Sequence, residues 1–314
     1  MIAPEFWTRR GLAAQLLRPF GLITRLATAR RVGRPGLSIG IKTICVGNAS
    51  VGGAGKTVVA LDILSRLPGL PFALTRGYGG ALEGPVLVER GLHTADEVGD
   101  EALLLVDAAP TVKARDRAAG ARLALAEGAT AIVMDDGLQN PALQKDLSLL
   151  VIDGGYGFGN GLLLPAGPLR EPVACAAQRC HAAILIGNDE TGALAQLPPF
   201  LPVLRANLIP DCIEPLGRRP VIAFAGIGRP DKFFRSVLSL GAELVASHAY
   251  PDHHVYEARD ATALLAEAAN KGARLVTTAK DFVKLPPNLR AACLVVQAQL
   301  VWEDELALEL LLNA

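Results

Sequence analysis

A glycine-rich stretch at residues 47–57, G-N-A-S-V-G-G-A-G-K-T, contains the residue types that bind the phosphates of a nucleotide. Glycines at 52, 53 and 55 allow successive backbone N–H groups to turn toward one anion, and the helix that follows directs its positive end to the same place. Lys56 would reach the β- and γ-phosphates, and the Thr57 hydroxyl would bind Mg²⁺. The nucleotide-binding residues predicted here are Asn48, Ser50, Val51, Gly52, Gly53, Ala54, Gly55, Lys56 and Thr57.

This loop departs from the strict phosphate-loop pattern at one position. The pattern has glycine five residues before Gly55, where this chain has Ser50. The alternative is a glycine-rich turn between a strand and a helix that binds nothing. The apolar run before the loop and the helical run after it favour nucleotide binding, because this is the context that a phosphate loop requires.

Two adjacent carboxylates, Asp135 and Asp136, follow the apolar run at 131–134. A carboxylate at the end of a strand can hold Mg²⁺ directly or through water, which is the role expected beside a phosphate loop. The alternative is an aspartate pair that caps a turn. We predict that both residues lie at the metal side of the nucleotide.

The segments around these motifs alternate between short apolar runs and helical patterns, which predicts βαβ units and a mostly parallel sheet. Such sheets bind ligands at the carboxyl ends of their strands, where both motifs fall. The predicted strands are 41–46, 71–75, 85–88, 131–134, 147–152, 182–186, 221–225, 243–248, 275–278 and 294–297. The predicted helices are 56–67, 101–107, 116–127, 231–240 and 257–270.

We therefore expect an α/β fold with a phosphate-loop core and a second, smaller α/β domain. The prolines concentrated in residues 187–220 suggest a joint between them. The predicted division is an N-terminal amphipathic segment at 1–36, a phosphate-loop domain at 37–205, a linker at 206–220 and the smaller domain at 221–314.

Charge is distributed unevenly along the 314 residues, although 31 basic and 31 acidic side chains cancel overall. The balance argues against a broadly basic nucleic-acid binder. Residues 1–40 nevertheless contain seven arginines and only one acid, Glu5. Leucines and aromatic residues lie between these arginines, and Arg18 with Pro19 interrupts the apolar run before it could span a bilayer.

This N-terminal segment has the composition of a helix that lies in a membrane interface, with apolar side chains in the acyl region and arginines at anionic headgroups. An amphipathic helix packed on its own domain is the alternative. Pro19 is expected to kink the helix or to separate two short ones.

Several further blocks, in order, resemble the tetraacyldisaccharide 4′-kinase family over nearly the whole chain. They are T-R-G-Y-G-G at 75–80, G-D-E-A-L at 99–103, D-D-G-L-Q at 135–139, G-N-G at 159–161, L-P-A-G-P-L-R-E-P at 164–172, A-F-A-G-I-G at 223–228, D-H-H at 252–254 and T-T-A-K-D at 277–281. The resemblance implies transfer of phosphate from ATP, with Mg²⁺, to the 4′-hydroxyl of a tetraacylated glucosamine disaccharide 1-phosphate. It also implies attachment to the cytoplasmic face of the bacterial inner membrane through the N-terminus. Neither a nucleic-acid partner nor a protein partner is expected.

The resemblance makes Asp100 the expected base, in cooperation with His253 or His254, of which His253 is favoured. Without it, Asp100 would be interpreted as a helix N-cap and the histidines as an exposed pair in a loop. Glu171 is a candidate second Mg²⁺ contact and Arg170 a candidate phosphate contact. The residues expected to contact the acceptor or a phosphate are Arg76, Tyr78, Gly79 and Arg170.

Two other functions fit the phosphate loop. A nucleotide-driven switch of the G-G-x-G-K-T class tends to carry lysine where this chain has Val51, and a kinase for a small soluble metabolite has no need of the arginine-rich segment.

One departure from the family also matters, because Asn140 stands where the family usually has histidine after D-D-G-F-Q, and asparagine cannot titrate near neutral pH.

Overall fold

The computed structural model describes residues 4–313, and these form a continuous twelve-stranded sheet. The strands are β1 Lys42–Gly47, β2 Pro71–Thr75, β3 Val86–Val88, β4 Thr111–Lys113, β5 Ala131–Asp135, β6 Leu147–Asp153, β7 Ala182–Ile186, β8 Val203–Cys212, β9 Pro220–Ala225, β10 Glu243–Ala249, β11 Arg274–Thr278 and β12 Cys293–Trp302. Their order across the sheet is β10-β9-β11-β12-β8-β7-β6-β1-β5-β2-β4-β3.

The strand pairs are parallel except for β3 with β4 and β8 with β12, which confirms the predicted mostly parallel α/β sheet. Helices cover both faces, and the central strands are therefore buried along their whole length. The helices are α1 Leu12–Leu17, α2 Gly21–Val32, α3 Lys56–Arg66, α4 Ala95–Val98, α5 Asp100–Leu105, α6 Arg117–Ala126, α7 Val173–Ala177, α8 Pro230–Ser239, α9 Ala258–Lys271, α10 Ala279–Phe282, α11 Pro287–Ala292 and α12 Glu305–Asn313.

Strand β8 passes through the stretch where the sequence suggested a joint, so the predicted linker at 206–220 begins inside a strand. Its first residues pair with β7, whereas the part from 207 to 212 pairs only with β12. Pro210 is tolerated there because a proline without an N–H does little harm on the unpaired side of a strand. Strand β8 thus joins the strands of the N-terminal half, through β7, to those of the C-terminal half, through β12.

The C-terminal end of the chain packs against the N-terminal half. Leu308 and Leu312 of α12 are buried in one apolar cluster with Val59 and Ile63 of α3. The indole N–H of Trp302, at the end of β12, donates to the Asp62 carboxylate at 2.9 Å. The last residues of the predicted smaller domain thus pack in the core of the other half, and the domain boundaries stay a prediction.

The N-terminal segment forms two short helices, α1 and α2, joined by a 3₁₀ turn at Arg18–Phe20 that contains Pro19. One side of the segment is fixed to the core by hydrogen bonds from side chains to backbone carbonyls. Thr24 Oγ1 donates to Leu164 O at 2.7 Å, and Thr28 Oγ1 donates to Arg170 O at 3.0 Å.

The other side of the segment carries six large apolar side chains, each more than half exposed. They are Leu12, Leu16, Phe20, Leu22, Ile23 and Leu26, and we call them the apolar patch. Within residues 4–313 every helix is too short or too polar to cross a bilayer.

Candidate active site

The glycine-rich loop follows β1 and leads into α3, as the sequence predicts. Gly55 caps α3 in a left-handed conformation (φ +87°), and a Cβ there would lie 2.5 Å from Cδ1 of Ile186. Only glycine combines this conformation with this close approach. Lys56 Nζ lies 3.4 Å from Gly52 O and 3.9 Å from Oδ1 of Asp136, so its charge is held over the loop.

Asp135 and Thr57 form the pair that best fits a magnesium ion. The Thr57 hydroxyl donates to Asp135 Oδ2 at 2.9 Å, while the buried Oδ1 has no hydrogen-bond partner among residues 4–313. Burial, and next the nearby charge of Glu101, raise the pKa of the Asp135 carboxyl. A buried carboxylate oxygen without a donor is destabilising until a cation or proton satisfies it, and the hydroxyl beside it is a normal Mg²⁺ ligand.

Asp136 is held by two cations instead. Arg170 NH1 lies 2.9 and 3.0 Å from its two oxygens, and Lys56 approaches from the loop. Burial alone would raise the pKa of the Asp136 carboxyl, but Lys56 and Arg170 outweigh it and the pKa falls below its usual range. Asp136 also has a left-handed backbone (φ +54°), unusual for a residue other than glycine. Its charge is therefore fixed at the loop.

Glu171 lies deeper, and its Oε1 accepts hydrogen bonds from Gln139 Nε2 at 2.9 Å and from Arg179 NH2 at 2.7 Å. Gln139 also donates to Asn48 O at 2.9 Å, which ties Glu171 to the start of the glycine-rich loop. No group of three or more His, Cys, Asp and Glu residues suited to a metal occurs among residues 4–313. A direct role of Glu171 as a Mg²⁺ ligand stays a prediction.

Asp100 and His253 lie in contact, and Glu101, the neighbour of Asp100, is near enough for its charge to raise the pKa of Asp135. The Asp100 carboxylate, 3% exposed at the start of α5, lies 3.0 Å from His253 Nδ1. His253 has a left-handed backbone (φ +60°), which turns its ring toward Asp100. His254 points elsewhere, because its Nε2 pairs with Asp260 at 3.0 Å and its ring stacks on Tyr250.

The three candidate acceptor contacts after β2 lie close together in the chain but have different surroundings. The Tyr78 ring is exposed and lies 5.5 Å from the His253 imidazole, centre to centre. Arg76 and Gly79 are exposed beside it. Of the three, Tyr78 is the one with a contact to the Asp100–His253 pair.

Several residues at the site carried no sequence signal. Arg117 is buried behind the metal-side carboxylate and donates to the backbone oxygens of Ala114 at 2.8 Å and Asp135 at 3.4 Å. Arg229 reaches the glycine-rich loop from the C-terminal half, donating to Gly53 O at 3.1 Å. The others are Arg179 and Lys284, whereas Gln139 and Lys280 lie in the blocks at 135–139 and 277–281 but were assigned no role. Asn140, the departure from the family pattern, accepts from Ala142 N at 2.8 Å and so stabilises a turn.

The mostly parallel sheet, with a glycine-rich loop and paired carboxylates at the carboxyl ends of its strands, is typical of α/β proteins that bind nucleotides. Residues 13–314 match the model of the family described as tetraacyldisaccharide-1-P 4′-kinase. The chain belongs to this family.

Relatives named tetraacyldisaccharide 4′-kinase support the assignment over their full length. The protein of Gluconacetobacter diazotrophicus is 55% identical, with 100% of this chain and 98% of the relative covered. That of Rhodospirillum rubrum is 50% identical, covering 100% and 97%. Among solved structures, LpxK from Aquifex aeolicus in complex with ATP superimposes with a TM-score of 0.77 at 26% identity, covering 96% of this chain and 99% of that one.

Proposed function

We propose that this chain transfers the γ-phosphate of ATP to the 4′-hydroxyl of a tetraacylated glucosamine disaccharide 1-phosphate. The observation that carries the proposal is the pairing of Asp100 with His253 at the edge of the sheet that also holds the glycine-rich loop. A phosphate loop without such a pair would suit a nucleotide-driven switch equally well. A proton acceptor beside the loop suits transfer to a hydroxyl.

The Asp100–His253 pair takes the proton of the acceptor hydroxyl. As the 4′-oxygen bonds to the γ-phosphorus, the bond between that phosphorus and the bridging oxygen breaks and ADP leaves. An ionised Asp100 accepts from His253 Nδ1–H, which leaves Nε2 of the imidazole without a proton and able to receive one. Asp100 thus orients the ring and stabilises the imidazolium that forms.

The remaining residues position the phosphates and neutralise their charge. Lys56 and Arg170 supply positive charge at the loop, and Thr57 and Asp135 would hold Mg²⁺, with Asp136 and Glu171 in support. When bound, Mg²⁺ neutralises charge on the phosphate oxygens. Tyr78 contacts the His253 ring and is placed to touch the sugar, with Arg76 and Gly79 beside it.

The apolar patch and the N-terminal arginines bring the enzyme to its lipid substrate at the cytoplasmic face of the bacterial inner membrane. Six exposed apolar side chains on a segment whose other side is fixed to the core are what an interfacial helix pair requires. Cations in the same segment favour an anionic surface.

An assay of phosphate incorporation tests the proposed function. Purified full-length protein is incubated with labelled ATP and the tetraacylated disaccharide 1-phosphate, with and without Mg²⁺. Mg²⁺-dependent labelling at the 4′ position is expected, and a lack of labelling would contradict the proposal. The deacylated disaccharide 1-phosphate serves as the control, since a kinase for soluble metabolites would use it equally well.

A further inference from the structure

Two lysines of the C-terminal half flank the Asp100 carboxylate and have no part in the chemistry described so far. Lys280 Nζ and Lys284 Nζ each lie 3.8 Å from Asp100 Oδ2. The same oxygen is 3.0 Å from His253 Nδ1. One carboxylate oxygen thus faces two ammonium groups and an imidazole.

Lys284 is the more unusual of the two because its ammonium group is buried. Its side chain is 7% exposed, and Nζ has no hydrogen-bond partner within the described part of the chain. Its nearest acid is Asp281, whose Oδ1 is 3.2 Å away and whose Oδ2 is used by the hydrogen bonds from Gly226 N and the Thr278 hydroxyl. Burying an ammonium group is costly unless nearby negative charge compensates.

The two lysines contribute to keeping the Asp100 carboxylate charged. Burial alone would raise the pKa of its carboxyl. The hydrogen bond to His253 and the charges of Lys280 and Lys284 outweigh burial, and the pKa of Asp100 falls below its usual value. Without the lysines, the hydrogen bonds from His253 and from the backbone N–H of Glu101 would be left to oppose burial.

We propose that Lys280 and Lys284 are positioning residues for phosphoryl transfer, which keep Asp100 ionised so that it accepts from His253 Nδ1–H and leaves Nε2 free to take the hydroxyl proton. Both lysines come from the segment 279–284, whereas Asp100 starts α5 in the N-terminal half. They therefore also fix the carboxylate across the two halves of the chain. This inference rests on the proposed function of the Asp100–His253 pair.

The charged and titratable groups around the pair come from four parts of the chain. Those beside Asp100 and His253 are Tyr78, Glu101, Asp252, Lys280, Asp281 and Lys284. Glu101 lies 3.8 Å from Lys280, and Asp252 lies 3.8 Å from His253 Nε2. Since these acids remain in every lysine variant, the variants change one charge at a time.

The test is the pH dependence of kcat/KM for the lipid acceptor in the full-length variants Lys284→Met, Lys280→Gln and Lys280→Arg. Removing a positive charge beside the Asp100–His253 pair favours the protonated form of the pair, so the pair takes up its proton at a higher pH. The acid limb of the profile should move upward by about one pH unit in Lys284→Met and Lys280→Gln, as expected for one charge at about 4 Å in a partly hydrated site. Lys280→Arg should restore the limb of the unmodified enzyme.

Lys271→Gln is the matched control, since Lys271 pairs with Glu267 on the surface of α9. Acid limbs within 0.2 pH unit of the unmodified enzyme in Lys280→Gln and in soluble Lys284→Met would overturn the proposal, as would an equal shift in Lys280→Arg. If Lys284→Met does not fold, the Lys280 variants decide, because Lys280 is more exposed. Full activity of Asp100→Asn would show that the proposed function of the pair fails, whereas an inactive Asp100→Asn with unshifted lysine variants would reject the lysines alone.

Discussion

Asp100 and His253 are separated by 153 residues in the chain, yet the carboxylate and Nδ1 of the imidazole lie 3.0 Å apart. Asp100 begins α5 in the N-terminal half of the chain, whereas His253 follows β10, an outermost strand of the sheet. The pair therefore exists only when the two halves are joined. His254, the next residue in the chain, is hydrogen-bonded to Asp260 instead and does not reach Asp100.

This geometry predicts different effects for the two histidines. Replacing His253 with Gln removes the proton acceptor, and kcat with the lipid acceptor should fall by about 10²- to 10⁴-fold. His254→Gln should reduce kcat by less than about tenfold, since it disturbs a contact within the C-terminal half. Steady-state kinetics at saturating ATP give the comparison, with melting temperature as the check on folding. Equal losses in the two variants would contradict the assignment of His253.

Asp135→Asn should separate magnesium binding from folding. The variant keeps the size of the side chain but removes the charge that faces the unpartnered position, so half-maximal activity should require at least about tenfold more Mg²⁺. Asp211→Asn, at an exposed site on β8, is the control. An unchanged Mg²⁺ requirement would remove Asp135 from the metal site.

We also expect Asp135→Asn to change the stability of the protein in the absence of Mg²⁺. The pKa of Asp135 is raised by burial, so the folded protein retains a proton that the unfolded chain releases above its ordinary pKa of about 4. This carboxyl therefore lowers stability as the pH rises from about 4 toward the raised pKa. In Asp135→Asn that loss is absent, and the melting temperature measured near pH 7 should equal or exceed that of the unmodified protein. A lower melting temperature in Asp135→Asn than in the unmodified protein would contradict the view that the Asp135 charge is uncompensated without Mg²⁺.

The parts of the site that could be predicted from sequence are those built from neighbouring residues. The glycine-rich loop and the Asp135–Asp136 pair follow apolar runs, so their place at the sheet edge follows from the pattern alone. Strand β4 was missed because its sequence, T-V-K, contains a single apolar residue, and β8 was missed because its proline is typical of a linker.

Residues that act through distant partners gave no such signal. Arg117 and Lys284 are charged residues in or beside helices, where exposure is the usual expectation. Arg117 is buried because it reaches backbone carbonyls at the end of β5, and Lys284 because it lies between two carboxylates. The choice of His253 over His254 depends on the left-handed backbone of His253, which no local sequence pattern predicts.

A triple variant of α2, Leu22→Gln with Ile23→Gln and Leu26→Gln, tests the apolar patch. These side chains are already exposed, so the melting temperature should change by no more than about 2 °C. Flotation with phosphatidylglycerol vesicles should be lost, because the apolar area that would enter the bilayer is removed.

The control for the patch replaces three other exposed apolar residues, Leu92, Ile213 and Leu238, with Gln. It should float like the unmodified protein. Equal flotation of both triple variants would mean that the patch does not bind the membrane. Activity in detergent micelles should be retained in both, since neither set contacts the sheet edge.

Substitution of Gly99 tests whether catalysis depends on the close contact between the loop after β2 and the start of α5. Gly99 and Gly91 both have a positive φ, +88° and +85°, but a Cβ at Gly99 would lie 2.7 Å from Tyr78 O, whereas one at Gly91 would meet nothing within 4 Å. Gly91→Ala should therefore cost only the conformational strain, about 1–2 kcal/mol, and leave kcat unchanged. Gly99→Ala adds a backbone clash beside Asp100, so it should melt at a lower temperature than Gly91→Ala and lose at least about tenfold in kcat. A kcat for Gly99→Ala within twofold of the unmodified enzyme would mean that Asp100 keeps its place without the close contact to the Tyr78 loop.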